Sequence, residues 1–373
     1  MGKGIKFVGL DVHGETITVA TAEAYGGEVK VVGTIRNRPE DITKAMRRLS
    51  SEDTLLCCYE AGGCGYTLQR QLSGMGIACV VVAPSLIPAK PGDRVKTDRR
   101  DAIKLARLLR SGDLTSVWVP DEEHEALREL TRARQLAVHD QTRARNRVNK
   151  LLQRLGVRRP KPMAPWEKKH RHWLSTIQLA QPLQQLVLEE YLRAVDQAAE
   201  RVERLTEAIE RAATHSRHAP LIAALQGLRG VGLVTAMTLV AELGDLRRFA
   251  KARQVMGYVA LTPREASSGA RQRRGAVAKT GNSHVRFTVV ESGWHYARVA
   301  KTSPSIARRR EGLSQEVVAI AEKAEQRLHR RFLRLIGRGK SRQQATVAIA
   351  RELVGFVWAI GQAVPPGQQL QAA

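Results

Sequence analysis

Hydrophobic runs in the first third of the chain are short and nearly continuous. Ile5–Val12 and Ile17–Ala22 are β-rich segments separated by His13-Gly14-Glu15-Thr16, whose composition predicts a hairpin turn. Val29–Thr34 adds a third strand, and a helix over Pro39–Leu49 leads to a strand at Leu55–Glu60. After Ala61-Gly62-Gly63-Cys64-Gly65, a helix around Tyr66–Gly74 and an all-apolar strand at Ala78–Ala83 follow. Continuous Val, Ile and Cys runs suit a sheet covered on both faces. A hairpin-rich start followed by strand–helix alternation therefore predicts a mixed α/β sheet over residues 1–118.

Beyond Pro120 the period lengthens. Pro120–Leu155 is highly charged but carries Leu127, Leu130, Val148, Leu151 and Leu152, which predicts helix. Gly156–Trp173 interrupts it with Pro160, Pro162 and Pro165. Leu188, Tyr191, Val195, Ala198, Val202, Leu205, Ile209 and Ala212 then follow alternating steps of three and four. This heptad seam predicts a coiled coil or helical hairpin, paired with Glu122–Leu155 of the same chain, with another subunit, or with both. Leu225–Leu243 reads as helix, Gly230-Val231-Gly232 turn, helix, and Ala345–Ile360 as a more apolar helix. A Gly-x-Gly turn opening a helix can present N–H groups to a phosphate or simply let two helices pack. The pattern divides the chain into 1–118, a helical region 119–217, a mostly helical region 218–362 and a tail 363–373 expected to be disordered.

Charge narrows the function. Lys plus Arg outnumber Asp plus Glu by 61 to 36, a formal +25 over 373 residues. Such an excess implies a polyanionic partner, nucleic acid or an anionic membrane surface. A membrane role is disfavoured, because Ala345–Ile360 contains Arg351 and Glu352 and is too short to span. Met1–Leu10 shows neither a signal peptide nor a myristoylation pattern. Cys57, Cys58, Cys64 and Cys79 form no Cys-x-x-Cys pair and read as reduced core thiols, which suits a cytoplasmic, nucleoid-associated protein.

The cations are clustered. Arg158, Arg159, Lys161, Lys168, Lys169 and Arg171 fall in a basic loop at 156–173, flanked by Trp166 and Trp173. This suits RNA or DNA contact by charge and stacking, or a solvated linker. Arg264, Arg271, Arg273, Arg274 and Lys279 mark a Gly- and Ser-containing loop at 263–275, which is good phosphate-binding material. Between Arg327 and Arg342 the cations, Arg331 and Arg334 among them, have no acid interspersed.

Against this basic background, four acids stand out. Asp11 sits inside the apolar run Lys6–His13, and a charge in a core strand is costly unless compensated, for example by a metal ion. Glu60 ends the run Leu55–Glu60, and Asp98 and Asp101 lie three apart where a helix begins, beside Arg99 and Arg100. Asp98 is placed to cap that helix with Asp101 at its third position, and acids there stabilise a helix without any chemistry. Together the four offer only oxygen, the hard ligand set of Mg²⁺ or Mn²⁺. Two such ions ~3.5–4 Å apart clamp the attacking and leaving oxygens of a phosphoryl displacement. The residues thus imply metal-dependent phosphodiester chemistry, with hydrolysis and strand transfer both open. Ser267 and Ser268 are turn residues by their Pro and Gly flanks, and His284 is near them only in sequence.

Gly9-Leu10-Asp11-Val12-His13, Tyr59-Glu60-Ala61-Gly62, Lys96-Thr97-Asp98-Arg99-Arg100-Asp101-Ala102 and Pro263-Arg264-x-x-Ser267-Ser268-Gly269 together resemble the DEDD transposases of insertion-sequence family 110. The likeness runs in order from about Ile5 to Ile360. It implies an N-terminal RuvC-like (RNase H-like) domain over 1–118, a coiled-coil middle over 119–217 and a C-terminal transposase domain over 218–362. It implies that Asp11, Glu60, Asp98 and Asp101 bind Mg²⁺, with Mn²⁺ as the alternative, and that Ser267 forms a covalent phosphoserine link to DNA. It further implies donor and target DNA as substrates, a structured guide RNA, and a homodimer or homotetramer in which the serine of one subunit joins the acids of another. Ala270 departs from the pattern, where many relatives have glycine, and leaves Ser268 as a rival nucleophile. Two other readings stand beside this one: a RuvC-like endonuclease in which metal-bound water attacks, and a non-catalytic RNA-binding protein.

Overall fold

The computed structural model describes residues 4–51, 53–88, 97–265, 274–278 and 280–365, and the chain divides into two compact units, Met1–Pro120 and Asp121–Ala373. In the first unit β1 (Ile5–Val12), β2 (Thr16–Glu23) and β3 (Lys30–Arg36) form an antiparallel meander. The His13 N–H closes the first hairpin on the Thr16 carbonyl at 2.8 Å. β4 (Thr54–Glu60) and β5 (Ala78–Val82) run parallel on the other side of β1, giving the order β3-β2-β1-β4-β5.

Helices cover both faces, as the apolar runs predict. Ile42 and Met46 of α1 (Pro39–Leu49) and Leu68 and Leu72 of α2 (Thr67–Gly74) pack on Leu10, Val19 and Tyr59. On the other face, Ala102 and Ala106 of α3 (Asp98–Ser111) meet Ala20 and Ala22, while Leu105 and Leu109 meet Cys58 and Val82. Burying one such leucine contributes about 1.5–3 kcal/mol. Gly9 of β1 lies directly under α3. A Cβ there would stand 2.3 Å from the Ala102 carbonyl oxygen and 2.4 Å from the Ala106 nitrogen, so only glycine permits the approach.

The second unit is helical. Asp121 caps α4 (Glu122–Arg154) by accepting the His124 N–H at 2.9 Å. The heptad seam lies on α6 (Pro182–His215) and packs on α4 of the same chain. Val148, Leu151 and Leu152 late in α4 cluster with Leu188 and Val195 early in α6, and Leu127 early in α4 with Ile209 late in α6. The two helices are therefore antiparallel. The segment between them is not wholly a loop, because α5 (Lys168–Thr176) occupies its second half. Trp166 and Trp173 pack edge-on and stacked against buried His170, within the same cluster as the distal ends of α4 and α6. Both tryptophans are half-buried.

The remainder comprises α7 (Ala219–Leu225), α8 (Leu233–Leu243), α9 (Ala252–Tyr258), α10 (Ser283–Gly293), α11 (Pro304–Arg310), α12 (Gln315–Gly337) and α13 (Arg342–Ala363). The first helix of the expected pair ends at Leu225 instead of beginning there, and 226–232 is turn. α8 is the core helix of this unit: every residue from Ala236 to Leu243 is buried, including Glu242. Such all-round burial is why its sequence lacks a polar stripe. β6 (Pro263–Glu265) and β7 (Arg274–Val277) form a two-stranded hairpin. Among the described residues no helix is long and apolar enough to cross a membrane.

Candidate active site

Alternation along β1 turns Leu10 toward α1 and α2, and Gly9 and Asp11 toward α3. Asp11 lies two residues beyond Gly9, a step of ~6.6 Å along a strand. Asp98 lies four residues before Ala102, a step of ~6 Å along a helix. Because Ala102 rests on Gly9, these matched steps bring the two acids together at the end of β1. The ligand atoms of Asp11, Asp98 and His13 all lie within 4.8 Å of one another. His13 Nδ1 is 3.6 Å from Asp11 Oδ2, with the Asp11 side chain 14% exposed and that of His13 55%.

His13 is not in the predicted quartet. The available signal was its i+2 spacing from Asp11, which keeps both side chains on one side of a continuing strand. Capping also differs from the expectation. Thr97, not Asp98, is the N-cap of α3, and its Oγ1 accepts the Arg100 N–H at 3.3 Å. Asp98 and Asp101 are therefore the first and fourth helical residues, and the Asp98 carboxylate is released from capping.

Glu60 ends β4, whose Tyr59 pairs with Leu10, so alternation turns Glu60 toward the α3 side with Asp11. Glu60 and Asp101 do not join the 4.8 Å group. Two carboxylates and an imidazole at that spacing fit one divalent ion, whose bonds to such ligands are ~2.0–2.2 Å. Arg99 and Arg100 are exposed on the first turn of α3.

Ser267 and Ser268, together with Arg271, Arg273 and Lys279, lie outside the described residues, but their anchor is described. Pro263 pairs with Val277 and Glu265 with Arg274, and the Ala278 N–H donates to the Thr262 carbonyl at 3.0 Å. The Arg264 guanidinium reaches the Ala278 carbonyl at 3.4 Å. Asn282 caps α10 by accepting the Val285 N–H at 3.0 Å, and its Nδ2 donates to Glu242 Oε2 at 2.7 Å. Fully buried Glu242 also accepts Arg132 Nε at 2.6 Å and Nη2 at 2.9 Å. Burial alone would raise its pKa, but the Arg132 and Asn282 donors outweigh that and hold it below the usual carboxylate range. The hairpin root is thus tied to α8, α10 and α4. His284 belongs to that scaffold, with Nδ1 and Gln135 Oε1 2.5 Å apart, and burial lowers its pKa.

Beside the hairpin root a groove of about 810 Å³ runs between α9, α12 and α13, lined by Arg253, Pro263, Val277, Arg331 and Arg351. The acid missing from 327–342 is supplied by α13: Glu352 accepts Arg327 Nε at 3.1 Å and pairs with Arg331. Arg334 is exposed. Of the other predicted cations, Arg158, Arg159, Lys161, Lys168 and Lys169 are exposed, whereas Arg171 pairs with Asp196 of α6.

Residues 8–156 match the DEDD transposase model of IS110 elements, described as a transposase, and residues 222–308 match the transposase IS116/IS110/IS902 family. The chain is 41% identical over 358 residues to a putative transposase, y4qE, of Sinorhizobium fredii, covering 95% of this chain and 88% of that protein. It is 32% identical over 338 residues to the transposase for insertion sequence element IS1533 of Leptospira borgpetersenii, covering 88% and 96%. The transposase for IS1111A of Coxiella burnetii is 25% identical over 339 residues. The chain belongs to the IS110 family of insertion-sequence transposases.

Proposed function

We propose that this transposase cuts and rejoins DNA through a covalent bond to Ser267, assisted by Mg²⁺ or Mn²⁺ held at Asp11 and Asp98, with Glu60 and Asp101 completing the acidic site. The meeting of Asp11, Asp98 and His13 within 4.8 Å carries the reading. The strand order β3-β2-β1-β4-β5 supports a RuvC-like unit around it. A bound divalent ion supplies charge stabilisation to the reacting phosphate oxygens. Attack by Ser267 Oγ forms a phosphoserine ester and releases one strand end as a hydroxyl. Attack by the hydroxyl of another strand reverses the ester, restores the serine and joins new ends, so no bond energy is lost. The groove beside the β6–β7 hairpin root, lined by Arg253, Arg331 and Arg351, offers cations to a DNA backbone. The exposed cations Arg158, Arg159 and Lys161 contact a structured guide RNA. Leu183 and Leu186 of α6, 77% and 53% exposed, support a homodimer or homotetramer in which a second copy covers them.

A covalent-adduct trap tests this. The wild type is co-expressed with its flanking DNA, denatured, and probed for DNA attached to protein, beside Ser267→Ala, Ser268→Ala and Asp11→Asn. The expected outcome is an adduct lost in Ser267→Ala and Asp11→Asn and kept in Ser268→Ala. Nicked DNA without an adduct, still dependent on Asp11 and indifferent to Ser267, would replace strand transfer by metal-assisted hydrolysis.

A further inference from the structure

A cleft of about 640 Å³ opens in the second unit between the Gly230-Val231-Gly232 turn and the segment 295–309. It shares no lining residue with the acid group, the serine hairpin or the groove beside it. Arg298, Lys301 and Arg309 line it and no acid does. None of these three has an ion-pair partner among the described residues. Three cations gathered without a carboxylate repel one another, and an anion seated between them removes that cost.

The walls hold these cations in place. Arg229 is buried and its charge is met by Glu325 at 2.6 Å. Its remaining donors reach the carbonyls of Val299 at 2.7 Å and Lys301 at 2.5 Å. It therefore braces the backbone from which exposed Arg298 and Lys301 project. Arg309 Nη1 donates to the Val231 carbonyl at 2.6 Å, which fixes its guanidinium at the turn. Gly230 has φ +77°, and a Cβ there would stand 2.7 Å from the Ser292 carbonyl oxygen, so the turn requires glycine to seat against 292–295. Gly232 begins α8 without a side-chain cap, leaving the first-turn N–H groups uncovered by a side chain at the edge of the cleft. Burial first, and then the charges of Arg298, Arg229 and Arg309, push the His295 pKa down.

We propose that this cleft is a second nucleic-acid contact, in which Arg298, Lys301 and Arg309 grip a phosphate of the backbone. The proposal rests on the transposase reading only for the presence of a polyanion. DNA and RNA present the same phosphodiester, and the experiment separates them.

Affinity is measured against salt by fluorescence anisotropy with the full-length chain, using a duplex that carries an element end and, separately, RNA transcribed from the flanking region. In Arg298→Gln/Lys301→Gln both side chains are exposed, so the fold is retained, and an unshifted melting midpoint checks this. The slope of log affinity against log salt is expected to fall by about 1.8 on duplex DNA, or about 1.4 on single-stranded RNA, with at least tenfold weaker binding at about 0.15 M salt. Lys44→Gln/Arg47→Gln, on exposed positions of α1, removes the same net charge and is expected to leave the slope alone. A fall on DNA alone assigns the cleft to DNA, on RNA alone to the guide, and on both to either backbone. An unchanged slope on both, or one no different from the α1 control, overturns the proposal. Strand cutting by the wild type is read in parallel. If it fails while the slope still falls, the transposition mechanism is lost and the cleft stands.

Discussion

Asp11 acquires its partners from two different kinds of neighbour. His13 is local, two residues on along the same strand, while Asp98 is distant in sequence and arrives only because α3 crosses β1 at Gly9. Asp11 is the most enclosed of the three and the only one in the body of a strand, so it should dominate metal affinity. In isothermal titration with Mn²⁺, Asp11→Asn is expected to abolish binding. His13→Ala, which leaves both carboxylates in place, should weaken it less, by about tenfold or about 1.4 kcal/mol. Equal losses in the two variants would place His13 on a par with Asp11. The same residue-scale logic applies to Thr97. Thr97→Ala removes the cap of α3 and should cost about 1 kcal/mol in urea unfolding, with metal affinity reduced because Asp98 then competes to cap.

At the scale of elements, the acid group depends on one close approach. Gly9→Ala places a methyl against the Ala102 carbonyl and the Ala106 amide, backbone atoms that cannot rotate away. α3 must move outward or tilt. A destabilisation of about 2–3 kcal/mol is expected by urea unfolding, with loss of Mn²⁺ binding by titration, since Asp98 travels with its helix. A Gly9→Ala protein with wild-type stability and affinity would show that α3 does not set the acid geometry. The β1–β5 strands, α1 and α2 were all legible within a residue or two, because a covered sheet writes its burial into continuous apolar runs. α5 was not legible, because a proline-rich basic segment gives no periodic signal and its fold is set by Trp166 and Trp173 packing on His170.

At the scale of the whole molecule, each unit carries its own stabilising cluster. In the second unit, His218 lies 4.3 Å from His124 ring to ring, Arg217 pairs with Asp121 and Glu123, and Ser216 Oγ donates to Glu123 at 2.8 Å. This joins the start of α4 to the turn between α6 and α7. Burial first, then the charges of His124 and Arg217, push the His218 pKa down to about 4. The unfolded chain takes up that proton near pH ~6.5. Stability is therefore expected to fall as pH drops from about 6.5 toward 4. Burial alone would raise Asp121, but its bonds from His124 and Arg217 bring it to about 2, so its contribution is lost only below that window. Urea midpoints between pH 7.5 and 4.5, followed by tryptophan fluorescence, should show this slope in the wild type and a flatter one in His218→Gln. Identical slopes would remove His218 as the cause.

Local order along the chain determined the strands and helices of the first unit, the heptad seam and the basic character, and it marked out four acids, because periodicity and charge are written residue by residue. Tertiary structure decided which faces meet. It packed the seam on α4 of the same chain, made Thr97 the cap, and drew Glu352 onto Arg327 and Arg331. It also brought Arg298, Lys301 and Arg309 around one cleft. Those outcomes depend on contacts between residues far apart in sequence, where burial of one face selects its partner only after every other face has been placed.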